Sequence, residues 1–99
     1  MSELTGKQKR FLRGLGNAIK ATISVGKSGI TDNTYLSVNN GFNTKELIKV
    51  KVQDGCDLDK EEVAEMISEG TQSQIVQIIG NNILLYKCHR EKPIITLPD

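Results

Sequence analysis

Gly26-Lys27-Ser28-Gly29 sets a lysine and a serine between two glycines, directly after the β-branched or small run Thr22-Ile23-Ser24-Val25. Glycine lets a backbone approach a phosphate closely, and the free amides of a helix start just behind the turn add partial positive charge there. The chemistry these residues predict is anion binding, to a free nucleotide or to a polynucleotide backbone. A second basic group lies upstream, at Lys9, Arg10, Arg13 and Lys20. At about 100° per residue these fall on a helical arc opposite Phe11, Leu12, Leu15, Ala18 and Ile19. An ordinary solvated helix face has the same pattern, so position in the fold has to decide its meaning.

Other chemistries fare worse. Residues 21–28, Ala-Thr-Ile-Ser-Val-Gly-Lys-Ser, resemble a relaxed Walker A pattern. A phosphate-wrapping loop needs a glycine-rich turn where Thr22 to Val25 prefer a strand, so a nucleotide-binding protein is kept only as an alternative. Cys56, Cys88 and His89 make at most three metal ligands with no C-x-x-C spacing, and no metal is expected. His89 is the single histidine and no nucleophile is placed beside it by a recognisable motif, so neither catalytic residues nor a cofactor are expected and the protein reads as a non-enzyme. The acids from Asp57 to Glu69 lack calcium-loop spacing and read as a solvated acidic helix; as a docking face for a protein partner they give a second alternative, a protein-interaction module.

The elements that must position the glycine loop follow from periodicity and capping. Thr5-Gly6-Lys7-Gln8 fits a capping box and opens a helix over about 6–20, weakened by Gly14 and Gly16. Residues 22–25 form a first strand, and the strand-helix-strand crossover sets the first helix beside it. Thr31 caps a second helix carrying Tyr35, Leu36, Val38 and Phe42, which its asparagines end near residue 42. Residues 47–52 alternate cleanly, with Ile48, Val50 and Val52 toward a core and Lys49 and Lys51 away from it, the pattern of a strand covered on one side. A third helix over 57–69, capped by Asp59, buries Val63, Met66 and Ile67 and stops at Gly70. Segments 74–79 and 83–87 make a hairpin through Gly80-Asn81-Asn82, and a tail over 88–99 adds a short extended piece at 94–97. The result is one α/β domain over residues 1–99 in the order αβαβαββ, a small four-stranded mixed sheet packed with three helices.

The whole chain agrees with a binding module. Ninety-nine residues fit a single domain, expected to be a monomer. No leader or membrane-length apolar run occurs, which makes cytoplasm the expected compartment and both cysteines free thiols. The net charge of +1 conceals an uneven distribution. Residues 1–51 hold nine Lys or Arg against three acids, and residues 52–99 hold four against nine. Phe11 and Phe42 fall on apolar helix faces, leaving Tyr35 and Tyr86, so no aromatic stacking platform is expected and binding should rest on backbone charge.

Several ordered segments together resemble a known family. Leu4-Thr5 with Lys7-Gln8-Lys9-Arg10-Phe11-Leu12-Arg13, then Val25-Gly26-Lys27-Ser28-Gly29-Ile30-Thr31, then Glu46-Leu47-Ile48-Lys49-Val50-Lys51-Val52, are similar to a CRM domain, the chloroplast RNA splicing and ribosome maturation family, in its standalone YhbY-like form. Thr71, Val76-Gln77, Ile79-Gly80, Leu85-Tyr86-Lys87 and Leu97-Pro98 continue the match in order. The resemblance implies an RNA-binding fold similar to the C-terminal domain of bacterial translation initiation factor three, acting on precursors of the large ribosomal subunit. It carries RNA contact onto Gly26, Lys27 and Gly29, with Ser28 inside the same loop, and onto Lys7, Lys9, Arg10 and Arg13. Gly16, Asn17 and Ala21 stand where the family usually has a small-residue-plus-histidine pair and a proline, and Lys87 where arginine is common.

Overall fold

The computed structural model describes residues 4–89, 91 and 93–98. Residues 1–3, 90, 92 and 99 of the expected single domain and tail therefore lie outside the described residues. The elements run α1 (Gly6–Gly16), β1 (Ile23–Val25), α2 (Asp32–Thr44), β2 (Leu47–Val52), α3 (Lys60–Thr71), β3 (Gln74–Ile79) and β4 (Asn82–Tyr86). The strands form one four-stranded sheet in the order β1-β2-β4-β3, with β1 parallel to β2 and the other pairings antiparallel. The αβαβαββ order and the mixed sheet are those the sequence predicts. The hairpin partner β4 inserts between β2 and β3, which makes β2 a central strand.

Alternate residues of the strands feed two cores. On one face Ile48, Val50 and Val52 of β2 with Ile83 and Leu85 of β4 pack on Val38 and Phe42 of α2 and Val63, Ala64 and Ile67 of α3. On the other, Leu47, Leu84, Tyr86 and Val76 pack on Leu12 of α1, with Leu4, Ile95 and Leu97 alongside. β2 is therefore not covered on one side only: Leu47 shares the face of Lys49 and Lys51, and α1 with the C-terminal tail covers that end of it. The 94–97 segment forms no strand. Glu46, buried just before β2, instead accepts hydrogen bonds from the backbone N–H groups of His89 (2.6 Å), Ile94 (2.7 Å) and Ile95 (2.5 Å).

Several boundaries shift for physical reasons. The Thr5–Gln8 capping box opens α1 as expected, Thr5 Oγ1 accepting from Gln8 N–H at 3.1 Å and Gln8 Oε1 from Thr5 N–H at 3.0 Å. The helix ends at Gly16 rather than near 20, because i→i+3 bonds from Ala18 to Leu15 and Ile19 to Gly16 tighten the chain after two weak glycine positions. Gly16 lies against Leu84, a contact only a bare Cα allows: a Cβ there would stand 2.5 Å from Leu84 Cδ2. β1 begins at Ile23 rather than residue 22, and β4 covers 82–86 rather than 83–87.

In the other helices, α2 continues to Thr44, past the expected end near 42, and Leu36 is exposed while Thr34 is buried. Thr34 Oγ1 accepts the Thr31 N–H at 3.1 Å, closing the helix start. α3 starts at Lys60, and Gly70 does not stop it. The stop falls at Gln72, whose left-handed φ of 56° ends the helix, while Gly70 leaves room for the Tyr35 ring of α2. Met66 is exposed and Ala64 takes its expected place inside.

Candidate nucleic-acid interface

The glycine loop is a tight turn at the end of β1. Gly29 N–H donates to the Gly26 carbonyl at 2.9 Å, and Gly29 takes φ +71°, a conformation that favours glycine. Gln53 N–H donates to the Val25 carbonyl at 2.8 Å and ties the loop's root to the segment after β2. A Cβ on Gly26 would lie 3.2 Å from Gln53 Oε1, so the bare backbone lets this neighbour close in. Lys27 and Ser28 project from the tip and are exposed. Ile23–Val25 is a strand, so residues 22–25 provide no turn to wrap the phosphates of a free nucleotide.

β1 is an edge strand, and an open groove of about 400 Å³ runs between its outer edge, the glycine loop and the first turns of α2. Ser28, Thr31, Asn33, Thr34 and Ser37 supply hydroxyl and amide groups to its wall, and no carboxylate is among the lining residues. Such a wall offers donors and acceptors to phosphate or ribose without repelling either. Sequence reasoning missed these hydroxyls as a set. The signal was the run of polar residues from the loop into the first turns of α2, at Ser28, Thr31, Asn33, Thr34 and Ser37.

The upstream basic group divides. Lys7, Arg10 and Arg13 are exposed on α1, whereas Lys9 is half-buried and lines a separate groove beside the end of α3. Lys20 lies beyond the helix, exposed in the connection to β1. α1 packs across β2 and β3 rather than beside the strand that feeds the loop. Its inward face is narrower than the apolar pattern implies: Leu12 is fully buried, but Phe11 is 41% exposed, Leu15 and Ala18 are exposed, and Ile19 is only partly covered. The aromatic expectation changes accordingly. Phe11 on α1 is exposed, while Tyr86 is buried, its hydroxyl pushed above the usual phenol range by burial and by the neighbouring Cys88 and Glu46.

Glu61, Glu62, Glu65 and Glu69 are exposed on α3, across the sheet from α1. Cys56 and Cys88 are free thiols, the first against the α2–α3 core and the second exposed after β4. No helix among the described residues is long and apolar enough to cross a membrane.

The frame is a small α/β domain of αβαβαββ order with a glycine loop at the end of β1. The family model of the CRS1 / YhbY (CRM) domain matches residues 4–87, and the chain belongs to that family. It is 46% identical over 95 residues to the "Probable RNA-binding protein YqeI" of Bacillus subtilis, covering 96% of this chain and 99% of that one. It is 34% identical over 94 residues to a Haemophilus influenzae protein named "RNA-binding protein", covering 95% of each. The solution structure of the hypothetical protein SAV1595 from Staphylococcus aureus superposes with a TM-score of 0.82 at 43% identity, covering 97% of this chain and all of that one.

Proposed function

We propose that this protein binds RNA without catalysis, gripping the backbone with Gly26, Lys27, Ser28 and Gly29 and with the basic residues Lys7, Lys9, Arg10, Arg13 and Lys20. The observation that carries the reading is the exposed Lys27 on a glycine turn at the mouth of a groove walled by hydroxyls and free of carboxylates. The relatives named as RNA-binding proteins favour the same ligand class. Phosphate contacts of this kind give affinity that falls with salt and discriminates weakly by sequence.

The RNA we propose is that of the large ribosomal subunit precursor, met in the cytoplasm by a monomer. The likeness to the C-terminal domain of translation initiation factor three, and the treatment of residues 1–99 as one RNA-binding domain, belong to the same proposal. The test is affinity for a structured fragment of large-subunit ribosomal RNA at two salt concentrations. Lys27→Ala combined with Arg10→Ala is expected to weaken binding and flatten its salt dependence. Unchanged affinity and slope would overturn the proposed surface.

A further inference from the structure

Beyond the loop and α1, one part of the sheet is built like a contact surface. Ser24 pairs with Lys51, Lys51 with Asn82, and Asn82 with Ile79, so these four residues form a row across all four strands. They point to the α1 side, because Ile23, Val50 and Ile83 next to them belong to the opposite core. Lys49 lies two residues from Lys51 on the same face and pairs with Leu84, where Gly16 of α1 makes its close contact. The covered part of the sheet thus ends at Lys49, and the row beyond it is open: Ser24 and Lys51 are exposed, Asn82 is half-buried and Ile79 is 61% exposed.

This strip has features that a merely solvated face does not require. Lysines on strands commonly protect an edge against pairing with other chains, but β2 is central, with a hydrogen-bonded neighbour on each side. On the α1 face of the four strands, the residues in and flanking the row (Ser24, Lys49, Lys51, Gln77, Ile79 and Asn82) include two cations and no carboxylate. The exposed acids of α3 lie across the sheet. Lys49 is half-buried, which holds its stem along the surface and limits the positions of its ammonium group. Ser24 is two residues from Gly26, so one end of the strip meets the glycine loop and the other meets the end of α1. With strands about 4.8 Å apart and residues about 3.3 Å apart, the loop, the two lysines and the helix end are near neighbours on this face. The acid just after β2, Asp54, accepts a hydrogen bond from the Asn81 side chain at 3.2 Å.

We infer that the uncovered strip of Ser24, Lys49, Lys51 and Asn82 is a further RNA contact, in which the two lysines hold backbone phosphates between the glycine loop and α1. The inference rests on the RNA-binding reading above. It gives the sheet a role that neither the loop nor the helix supplies: the strip joins them into a continuous path, with Ile79 at its far end available to a base.

The experiment measures binding of the same ribosomal RNA fragment across a salt series for wild type, Lys49→Gln/Lys51→Gln, Lys51→Gln alone, Lys27→Ala and Lys45→Gln. Lys45 is an exposed cation at the end of α2, away from the strip. The double variant is expected to weaken binding on the order of tenfold and to reduce the log–log salt slope by about 1.4 to 1.8, for two lost phosphate contacts. Lys51→Gln, a change at an exposed position that leaves both cores untouched, should show about half that slope change, and Lys45→Gln should bind like wild type. If the double variant binds like wild type while Lys27→Ala is weakened, the strip is overturned and the loop reading stands. If Lys45→Gln falls as far as the strip variants, only net charge is at work and the strip is again overturned. Failure of the wild-type protein to bind would overturn both readings together.

Discussion

The buried carboxylate of Glu46 accepts the backbone N–H of Ile94 at 2.7 Å, joining the first residue before β2 to a tail 48 positions later in the chain. The same carboxylate takes the N–H groups of His89 and Ile95, and the Glu46 carbonyl takes the N–H of Lys87 at 2.8 Å. The His89 ring adds a hydrogen bond to the Phe42 carbonyl, and Gln8 of α1 donates to the Pro98 carbonyl at 3.1 Å. These bonds lay Ile95 and Leu97 onto the core under α1. Glu46→Ala removes a charged acceptor and leaves its backbone donors without a partner, so a stability loss of about 3 kcal/mol is expected. Glu46→Gln keeps one acceptor oxygen and should lose about half as much. Urea unfolding measures both, and hydrogen exchange at Ile94 and Ile95 should rise in each variant.

Acid should act through the same residue. Burial raises the Glu46 pKa, but the backbone bonds from His89, Ile95 and Ile94 and the Cys88 thiol outweigh it and hold the carboxyl below the usual carboxylate range. A folded-state pKa below the unfolded one means that folding releases protons from this group. Its contribution is fully present above the unfolded pKa of about 4.3 and disappears as pH falls through the lower, folded value. Stability measured from pH 7 downward should therefore decline below about pH 4.5 in wild type. The decline should be shallower in Glu46→Gln, and an identical acid profile for the two proteins would refute the assignment.

None of this clasp was legible in the chain. A lone glutamate before an apolar strand carries no local signal that three amides from a proline-containing tail will converge on it. What was legible came from short-range chemistry. The Thr5–Gln8 capping box, the alternation of β2 and the Gly80-Asn81 turn each depend on neighbours a few residues away. Local periodicity reports that two faces differ, not which element lands on them, so the covering of Leu47 by α1 and the openness of Lys49 and Lys51 were not separable in sequence. The same limit applies to Phe11: helical spacing put it with Leu12, but α1 rests on the sheet along a line through Leu12 and Gly16, and the ring falls outside it.

The two glycines of α1 provide a direct comparison. A Cβ at Gly14 meets nothing within 4 Å, so Gly14→Ala should stabilise by about 0.8 kcal/mol through helix propensity alone. At Gly16 the same gain is opposed by overlap with Leu84, which is buried and has little freedom to move. Overpacking of that kind costs about 1–3 kcal/mol, so Gly16→Ala should lower stability by about 1 kcal/mol net. Thermal unfolding of the two variants should therefore shift in opposite directions. Two upward shifts would mean that α1 is not seated on Leu84.

The loop itself is testable through its backbone rather than its charge. A Cβ on Gly29 has open space, with Leu58 Cδ1 the nearest atom at 4.0 Å, so any penalty at this position comes from φ +71° and not from crowding. Gly29→Ala places an alanine in the left-handed region and should lose about 1 kcal/mol of stability. Asparagine tolerates that region better, so Gly29→Asn should lose less. Because the Gly29 N–H closes the turn on the Gly26 carbonyl, a relaxed φ at Gly29 is expected to change the turn that carries Lys27. RNA affinity should consequently follow the order wild type, Gly29→Asn, Gly29→Ala, although neither substitution changes net charge. Equal affinity in all three, with the stability order intact, would show that the turn's shape contributes to folding and not to binding.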